Sequence, residues 1–213
     1  LEDWEKDVVE IVRQESFYFM PQIRTKIMNE GWASFWHFKL MNQLDLPQKY
    51  HIPFIKSHNQ VVRPHTGRIN PYHLGFYLFN KIEERHGIEE CFIAREVCHD
   101  ESFLRQYLTK EDCFELNLFS YSLYKKDYII NEVSDQEGWK DIKSSLIKQV
   151  GSNSFPKIVV RELKKNNTLC LKHEHDGRDL ELSYAEKVVD YITRLWGGLV
   201  KLETVIEEDY FEI

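Results

Sequence analysis

The sequence predicts an α+β fold, in which a helical N-terminal part is followed by a mostly antiparallel sheet with helices on one face. Residues 1–108 carry apolar side chains at helical spacing, punctuated by Pro21, Pro47 and Gly87. Residues 114–213 carry short β-branched and aromatic runs and two helical patterns, in the order β-β-α-β-β-α-β. We therefore predict a helical region at 1–110 and a small α/β domain at 111–213.

Local signals set the predicted elements. Helix 1–20 ends before Pro21, because the residue before a proline avoids helical backbone angles. Asn70 and Pro71 are typical of an N-cap and a first helical residue, and Gly87 is typical of a helix end. The other predicted helices are 22–44, 50–62, 72–86, 100–108, 137–150 and 184–195. The predicted strands are 114–121, 128–133, 157–162, 169–173, 201–205 and 210–213, with a hairpin turn at 164–167.

Composition excludes several classes of protein. The chain has 213 residues, is 42% hydrophobic and has a net charge of -7, which is typical of a globular protein and argues against a nucleic-acid binder. No apolar run approaches the roughly 18 residues of a membrane-spanning helix. The four cysteines lack Cys-x-x-Cys spacing, so we interpret them as buried, reduced thiols of a cytoplasmic protein. Because Leu1 falls directly into a helical pattern, we interpret the chain as part of a longer protein.

The helix predicted at 22–44 carries the strongest candidate site. Glu30, Ser34 and His37 stand at i, i+4 and i+7 on one stripe of an aromatic-rich helix. A buried carboxylate needs a partner, which is a metal ion, a cationic side chain or a set of hydrogen-bond donors. Glu30 and His37 are the candidate metal ligands, and Ser34 is a candidate to orient a ligand. The alternative is structural, with Glu30 paired to a cation or backbone donors and His37 bonded to a carbonyl.

Further polar residues are weaker candidates, each with a structural alternative. Asn70 is first of all a helix start, and the two adjacent acids Asp100 and Glu101 suit the first turn of a helix, where the dipole favours negative charge. Histidines in loops more often cap or bond to backbone than bind metal. These additional candidates are Asn70, His65, His73, Asp100 and Glu101.

Several blocks of the sequence resemble the stage V sporulation protein R family. The blocks are KIMNEGWASFWH at 26–37, GRINPYHLG at 67–75, DESFLRQYL at 100–108 and RLWG at 194–197. They follow the family's order, and the opening LEDW also fits. The chain resembles the C-terminal half of such a protein from a spore-forming bacterium.

This resemblance implies a biological role more clearly than a reaction. The family is associated with assembly of the spore cortex, a thick peptidoglycan layer, and its molecular activity is not established. The resemblance implies a protein of the mother-cell cytoplasm that acts through protein partners. The first predicted partner is the N-terminal half of the same protein.

A second resemblance concerns metal chemistry. Asn29, Glu30 and Ser34 are similar to the third-ligand helix of gluzincin zinc peptidases, in which a Glu binds the metal and a polar residue one turn on orients a ligand His. That resemblance implies zinc in the full-length protein, with the other ligands in its N-terminal half. The general-base Glu of those peptidases is missing from the family's His pair, which weakens the case for peptidase activity.

Three functional classes follow from the sequence. The first is a developmental protein that acts through partners, and the second is a metal-dependent hydrolase or an inactive relic of one. The third, a small-molecule sensor, depends only on the α/β tail. A hydrolase requires Glu30, His37 and a further histidine, such as His65 or His73, to face one polar cavity. A partner-binding protein requires Glu30 to be neutralised by an arginine and the sheet domain to carry an exposed apolar patch.

Overall fold

A computed structural model describes residues 1–65, 69–124, 127–133, 137–207 and 209–213, without side chains for 120–136. It confirms the α+β class. The helices are α1 Asp3–Arg24, α2 Lys26–Gln43, α3 Gln48–Val62, α4 Pro71–His86, α5 Ile88–Val97, α6 Asp100–Tyr107, α7 Lys110–Glu115, α8 Trp139–Gln149 and α9 Leu182–Trp196, with a 3₁₀ turn at Gly151–Ser154. The strands are β1 Phe119–Tyr124, β2 Asp127–Val133, β3 Ile158–Leu163, β4 Leu169–His173, β5 Val200–Ile206 and β6 Asp209–Glu212.

The first helix is longer than the sequence predicts. The end predicted at residue 20 is wrong, because α1 continues through Pro21 to Arg24. Thr25 Oγ1 donates a hydrogen bond to the Pro21 carbonyl at 2.7 Å, and the helical backbone angles are interrupted only at Thr25. Two short helices were not predicted. Of these, α5 follows Gly87 directly, and α7 begins with a reciprocal pair of hydrogen bonds between Thr109 and Asp112.

The strands form two sheets, whereas the sequence predicts one. Strands β1 and β2 form a separate antiparallel hairpin, and the other strands form a four-stranded sheet in the order β3-β4-β5-β6. Its outer pairs, β3 with β4 and β5 with β6, are antiparallel. Its central pair, β4 with β5, is parallel because α9 forms the crossover between them.

The chain forms two compact units, residues 18–154 and residues 1–17 with 155–213. The core of the helical unit is built on Met28, Phe35, Phe79 and Phe103, each fully buried. In the other unit α9 and the sheet bury a smaller cluster that includes Leu171 and Val189. The boundary predicted at 110/111 lies inside the helical unit. Within the described residues, no helix combines the length and hydropathy needed to cross a membrane.

Helix α1 buries none of its residues, although its sequence is amphipathic. Trp4, Val8, Ile11 and Val12 follow helical spacing and expose 65%, 49%, 59% and 59% of their surface. We call these four residues the α1 apolar surface. An apolar stripe this exposed is typical of a surface that another chain or segment covers.

Candidate functional site

The N-terminus of α2 is held by a residue from a distant part of the chain. The two carboxylate oxygens of Asp100, at the start of α6, accept hydrogen bonds from the backbone N–H groups of Ile27 and Met28, each at 3.0 Å. Asp100 is only 1% exposed. Burial raises the pKa of its carboxyl group, and the backbone donors oppose that shift. Asp100 therefore fixes the first turn of the helix that carries Glu30.

Two glycines set the approach of α2 to α4. A Cβ atom on Gly31 would lie closer than 3.0 Å to the backbone of Gly75, and a Cβ on Gly75 would meet the Ile27 carbonyl oxygen and Gly31 Cα equally closely. The two backbones are therefore in direct contact, which only glycine at both positions allows. This contact brings Glu30, which precedes Gly31, beside the first turn of α4.

In that position Glu30 pairs with a tyrosine rather than with a histidine. Glu30 is half-buried and forms a hydrogen bond with the Tyr72 side chain. The Tyr72 pKa is raised, first by this hydrogen bond and then by burial. Asn29 Nδ2 donates to Thr25 Oγ1 at 2.9 Å on the preceding turn. The sequence did not indicate Tyr72 as a site residue, since no local pattern links positions 30 and 72.

Asn70 joins the end of α3 to the start of α4. Its Oδ1 accepts a hydrogen bond from the Tyr72 backbone N–H at 3.0 Å, which confirms the predicted N-cap. Its Nδ2 donates to the carbonyls of Val61 and Arg63, at 2.8 and 2.7 Å. Asn70 is 4% exposed, so this set of bonds is shielded from water. Asn70 thereby holds the backbone that presents Tyr72 to Glu30.

His73 and His65 lie near one another beside the α3 terminus. His73 Nδ1 donates to the Val62 carbonyl at 2.9 Å. Burial lowers the His73 pKa, and proximity to His65 lowers it further, although the Val62 carbonyl opposes the shift. This hydrogen bond stabilises the link between α3 and α4.

His37 lies two turns further along the same stripe of α2, where it packs against α3. It is exposed, and its ring centroid is 5.3 Å from that of Phe54. Ser34, one turn before it, is 7% exposed. Behind His37 lies His58, which is only 5% exposed and packs between Phe38 and Phe76, with ring centroids 4.8 and 4.9 Å away. The sequence placed His58 in a helix but did not identify it as functional.

His58 carries a buried polar atom without a partner. In the described part of the chain its Nε2 makes no hydrogen bond, which is a costly state for a buried polar group. Burial lowers the His58 pKa, and the nearby His37 lowers it further. The native state therefore favours the neutral imidazole.

We expect acid to destabilise the packing of α3 through His58. Its pKa in the fold lies below the unfolded value of about 6.5, so the neutral ring stabilises the native state above that pH. The contribution is lost as pH falls through the lowered native pKa. A single site can contribute a slope of at most about 1.4 kcal/mol per pH unit. Urea unfolding at pH 7.5, 6.5 and 5.5 should show a shallower pH dependence for His58→Phe.

The matched control is His86→Phe, at an exposed position in the last turn of α4. It should leave the pH dependence of unfolding unchanged. An equal slope in wild type and His58→Phe would contradict the role assigned to His58.

Buried networks elsewhere in the helical unit hold helices together. Asp112 is fully buried, and the Arg85 guanidinium donates to both of its oxygens, at 2.5 and 2.8 Å. Arg85 and the other hydrogen-bond donors hold the Asp112 pKa below its usual range despite burial. All four cysteines are buried, which confirms their predicted burial. Burial raises the pKa of Cys91 and of Cys113 to about 11, so both stay protonated and unreactive at neutral pH.

The candidate residues thus separate into distinct groups. Glu30 lies with Tyr72, His37 with His58, and His65 with His73, while Asp100 caps α2. Glu101 is half-buried, and its Oε1 lies near Gly151. Among the described residues no three His, Cys, Asp or Glu side chains form a group that fits a metal ion. The described chain does not by itself fit zinc, which needs about three protein ligands. A metal-binding Glu30 stays a prediction for a longer protein.

Comparisons with known proteins agree with the resemblance seen in the sequence. The family model described as SpoVR like protein matches residues 1–155, and the SpoVR-like C-terminal domain matches residues 156–207. A relative in Escherichia coli strain K12, "Uncharacterized protein YcgB", is 30% identical over the whole of this chain. The chain spans about half of that relative, 48% of its length. No solved structure matches. The chain therefore belongs to the SpoVR-like family, a sporulation-related family.

Proposed function

We propose that this chain serves formation of the spore cortex, acts in the mother-cell cytoplasm and works through protein contacts. The match to the family over residues 1–207 is the observation that carries the sporulation role. The exposed α1 apolar surface supports action through partners. A metal-dependent hydrolase is the alternative, and it draws no support from a ligand group in the described residues.

The α1 apolar surface is the proposed contact. Helix α1 has 22 residues and buries none of them, so packing within the described chain does not account for its apolar stripe. Helices of this kind gain most of their stability from packing on a partner, since isolated helices are marginal in water. The proposed occupant is the other half of a longer polypeptide. This choice is supported by the E. coli relative, whose length is about twice the matched part.

The test is complementation of a strain of the parent organism that lacks the gene. The gene carries Trp4→Ser with Ile11→Ser, two changes on the α1 apolar surface. Since neither residue is buried, the fold should stay intact. A loss of about 1.4 kcal/mol of contact energy would weaken the contact about tenfold, so the count of heat-resistant, cortex-bearing spores should fall well below that of wild type.

The matched control carries Lys6→Ser with Gln14→Ser, two exposed polar positions of the same helix. It should sporulate as wild type. Normal spores from the Trp4→Ser, Ile11→Ser strain would contradict the α1 contact. A deletion strain with normal cortex would contradict the sporulation role itself, so the two failures are distinguishable.

A further inference from the structure

Two histidines lie at the carboxyl end of strand β4 in the four-stranded sheet. They are far along the sequence from α2, the helix that carries Glu30. Strand β4 ends at His173, and the parallel strand β5 carries Thr204 near its own carboxyl end. The connection that leaves β4 contains His175 and Asp179 and leads into α9. The carboxyl ends of neighbouring parallel strands are a common location of ligand sites, because the chain departs there in different directions.

Each imidazole has one ring nitrogen bound to an oxygen atom. His175 Nε2 donates to Asp179 Oδ1 at 2.8 Å, and the second Asp179 oxygen accepts from the Glu207 backbone N–H at 3.1 Å. His173 Nδ1 lies 2.9 Å from Thr204 Oγ1. The Thr204 hydroxyl donates to the Val205 carbonyl at 3.4 Å, so Nδ1 of His173 is the donor to Thr204.

This pattern leaves one lone pair on each ring. It lies on Nε2 of His173 and on Nδ1 of His175, where the lone pair accepts a long hydrogen bond of 3.4 Å from the Gly177 N–H that a metal ion would replace. His173 is 4% exposed, whereas His175, two residues further along the chain, is exposed. Metal-binding histidines typically have the opposite ring nitrogen fixed by a carboxylate or other oxygen.

The separation of the rings also fits a shared ion. Their centroids are 5.7 Å apart, and the rings are inclined at 85°. A metal–nitrogen bond of about 2.0–2.1 Å places each imidazole centroid roughly 3.2 Å from the ion, so two rings on one tetrahedral ion lie about 5–6 Å apart. Burial lowers the His173 pKa, which keeps this ring in the neutral form that binds metal.

We propose that His173 Nε2 and His175 Nδ1 together bind one divalent transition-metal ion, with water in the remaining positions. Imidazole ligands suit Cu²⁺, Ni²⁺ and Zn²⁺, and affinity is expected to be highest for Cu²⁺. The described residues provide no third ligand side chain. The site binds reversibly, and it is independent of Glu30 and of the proposed function.

The test is a calorimetric titration of the complete 213-residue chain, without a histidine tag, with Cu²⁺, Ni²⁺ and Zn²⁺ in turn. We expect one Cu²⁺ per chain with two nitrogen ligands in its electron paramagnetic resonance spectrum, and weaker Ni²⁺ and Zn²⁺. His175→Gln should lower Cu²⁺ affinity at least tenfold, and so should a change from pH 7.5 to pH 5.5.

Two controls keep this proposal falsifiable. Glu174→Gln changes the residue between the two histidines, whose side chain pairs with Lys157 instead, and it should bind Cu²⁺ as wild type. His173→Gln removes the second ligand, with circular dichroism to establish that the protein is folded. Absence of Cu²⁺ binding to wild type at pH 7.5, or unchanged affinity in folded His175→Gln, would overturn the site.

Discussion

Replacing Gly75 with alanine is expected to lower the free energy of unfolding by on the order of 3 kcal/mol, the cost of overpacking a tight core. The new methyl group would meet the Ile27 carbonyl oxygen and Gly31 Cα, which are backbone atoms and cannot turn aside. Alanine is the better helix former by about 1 kcal/mol, but this gain does not offset the clash. Urea unfolding followed by tryptophan fluorescence measures the loss.

Gly31→Ala should behave in the same way, because the two glycines form one contact. The effects of the two substitutions should therefore be less than additive, since the first already separates α2 from α4. Ala33→Ser, at an exposed position of α2, is the control and should change stability by less than about 0.5 kcal/mol. A stabilised Gly75→Ala would show that the helices do not approach as closely as described.

The second large effect is expected for Asp100→Ala, which should cost about 3 kcal/mol, because hydrogen bonds to a charged group contribute about 1.5–3 kcal/mol each. The substitution leaves the N–H groups of Ile27 and Met28 buried without acceptors. We expect fraying of the first turn of α2, seen as faster hydrogen exchange at residues 27–30. Exchange and urea unfolding together separate this local effect from global unfolding.

Asp100→Asn should lie between wild type and Asp100→Ala. Its amide oxygen still accepts one bond, while its NH₂ group faces a second donor. Burial raises the Asp100 pKa above its value in the unfolded chain, about 3.8. The free energy of unfolding should therefore fall as pH rises from that value through the native pKa, because the buried carboxyl group becomes charged in this range. Glu101→Gln, at the next position, is the matched control and should keep wild-type exchange. Unchanged exchange in Asp100→Ala would contradict the capping role.

Signals confined to a few residues were the most predictable from the sequence. The cap formed by Asn70 and Pro71, the helix end at Gly87 and the turn between β3 and β4 each depend on neighbouring residues, and the structure contains all three. The end predicted before Pro21 was wrong because a proline near the end of a helix interrupts few backbone hydrogen bonds.

Contacts between distant residues were not predictable in this way. Asp100 bonds to Ile27 and Met28, which precede it by more than 70 positions in the sequence. Glu30 bonds to Tyr72 on another helix. The stripe of Glu30, Ser34 and His37 correctly indicated a helix, but residues seven apart lie about 10 Å from one another along the axis, so the two ends of the stripe contact different neighbours. Glu30 thus faces α4 while His37 faces α3. The packing of the helices determines which residues on different helices come into contact.

Each compact unit contains at least one buried thiol that can be used to measure how often that unit opens. Cys91, Cys98 and Cys113 belong to the helical unit, and Cys170 lies in β4 of the other unit. A thiol that is shielded in the native state reacts with an alkylating reagent only when its surroundings open. The rate at which each cysteine-containing peptide gains the mass of the reagent therefore reports how often its unit opens. One labelling reaction thus measures the opening of both units without any engineered label.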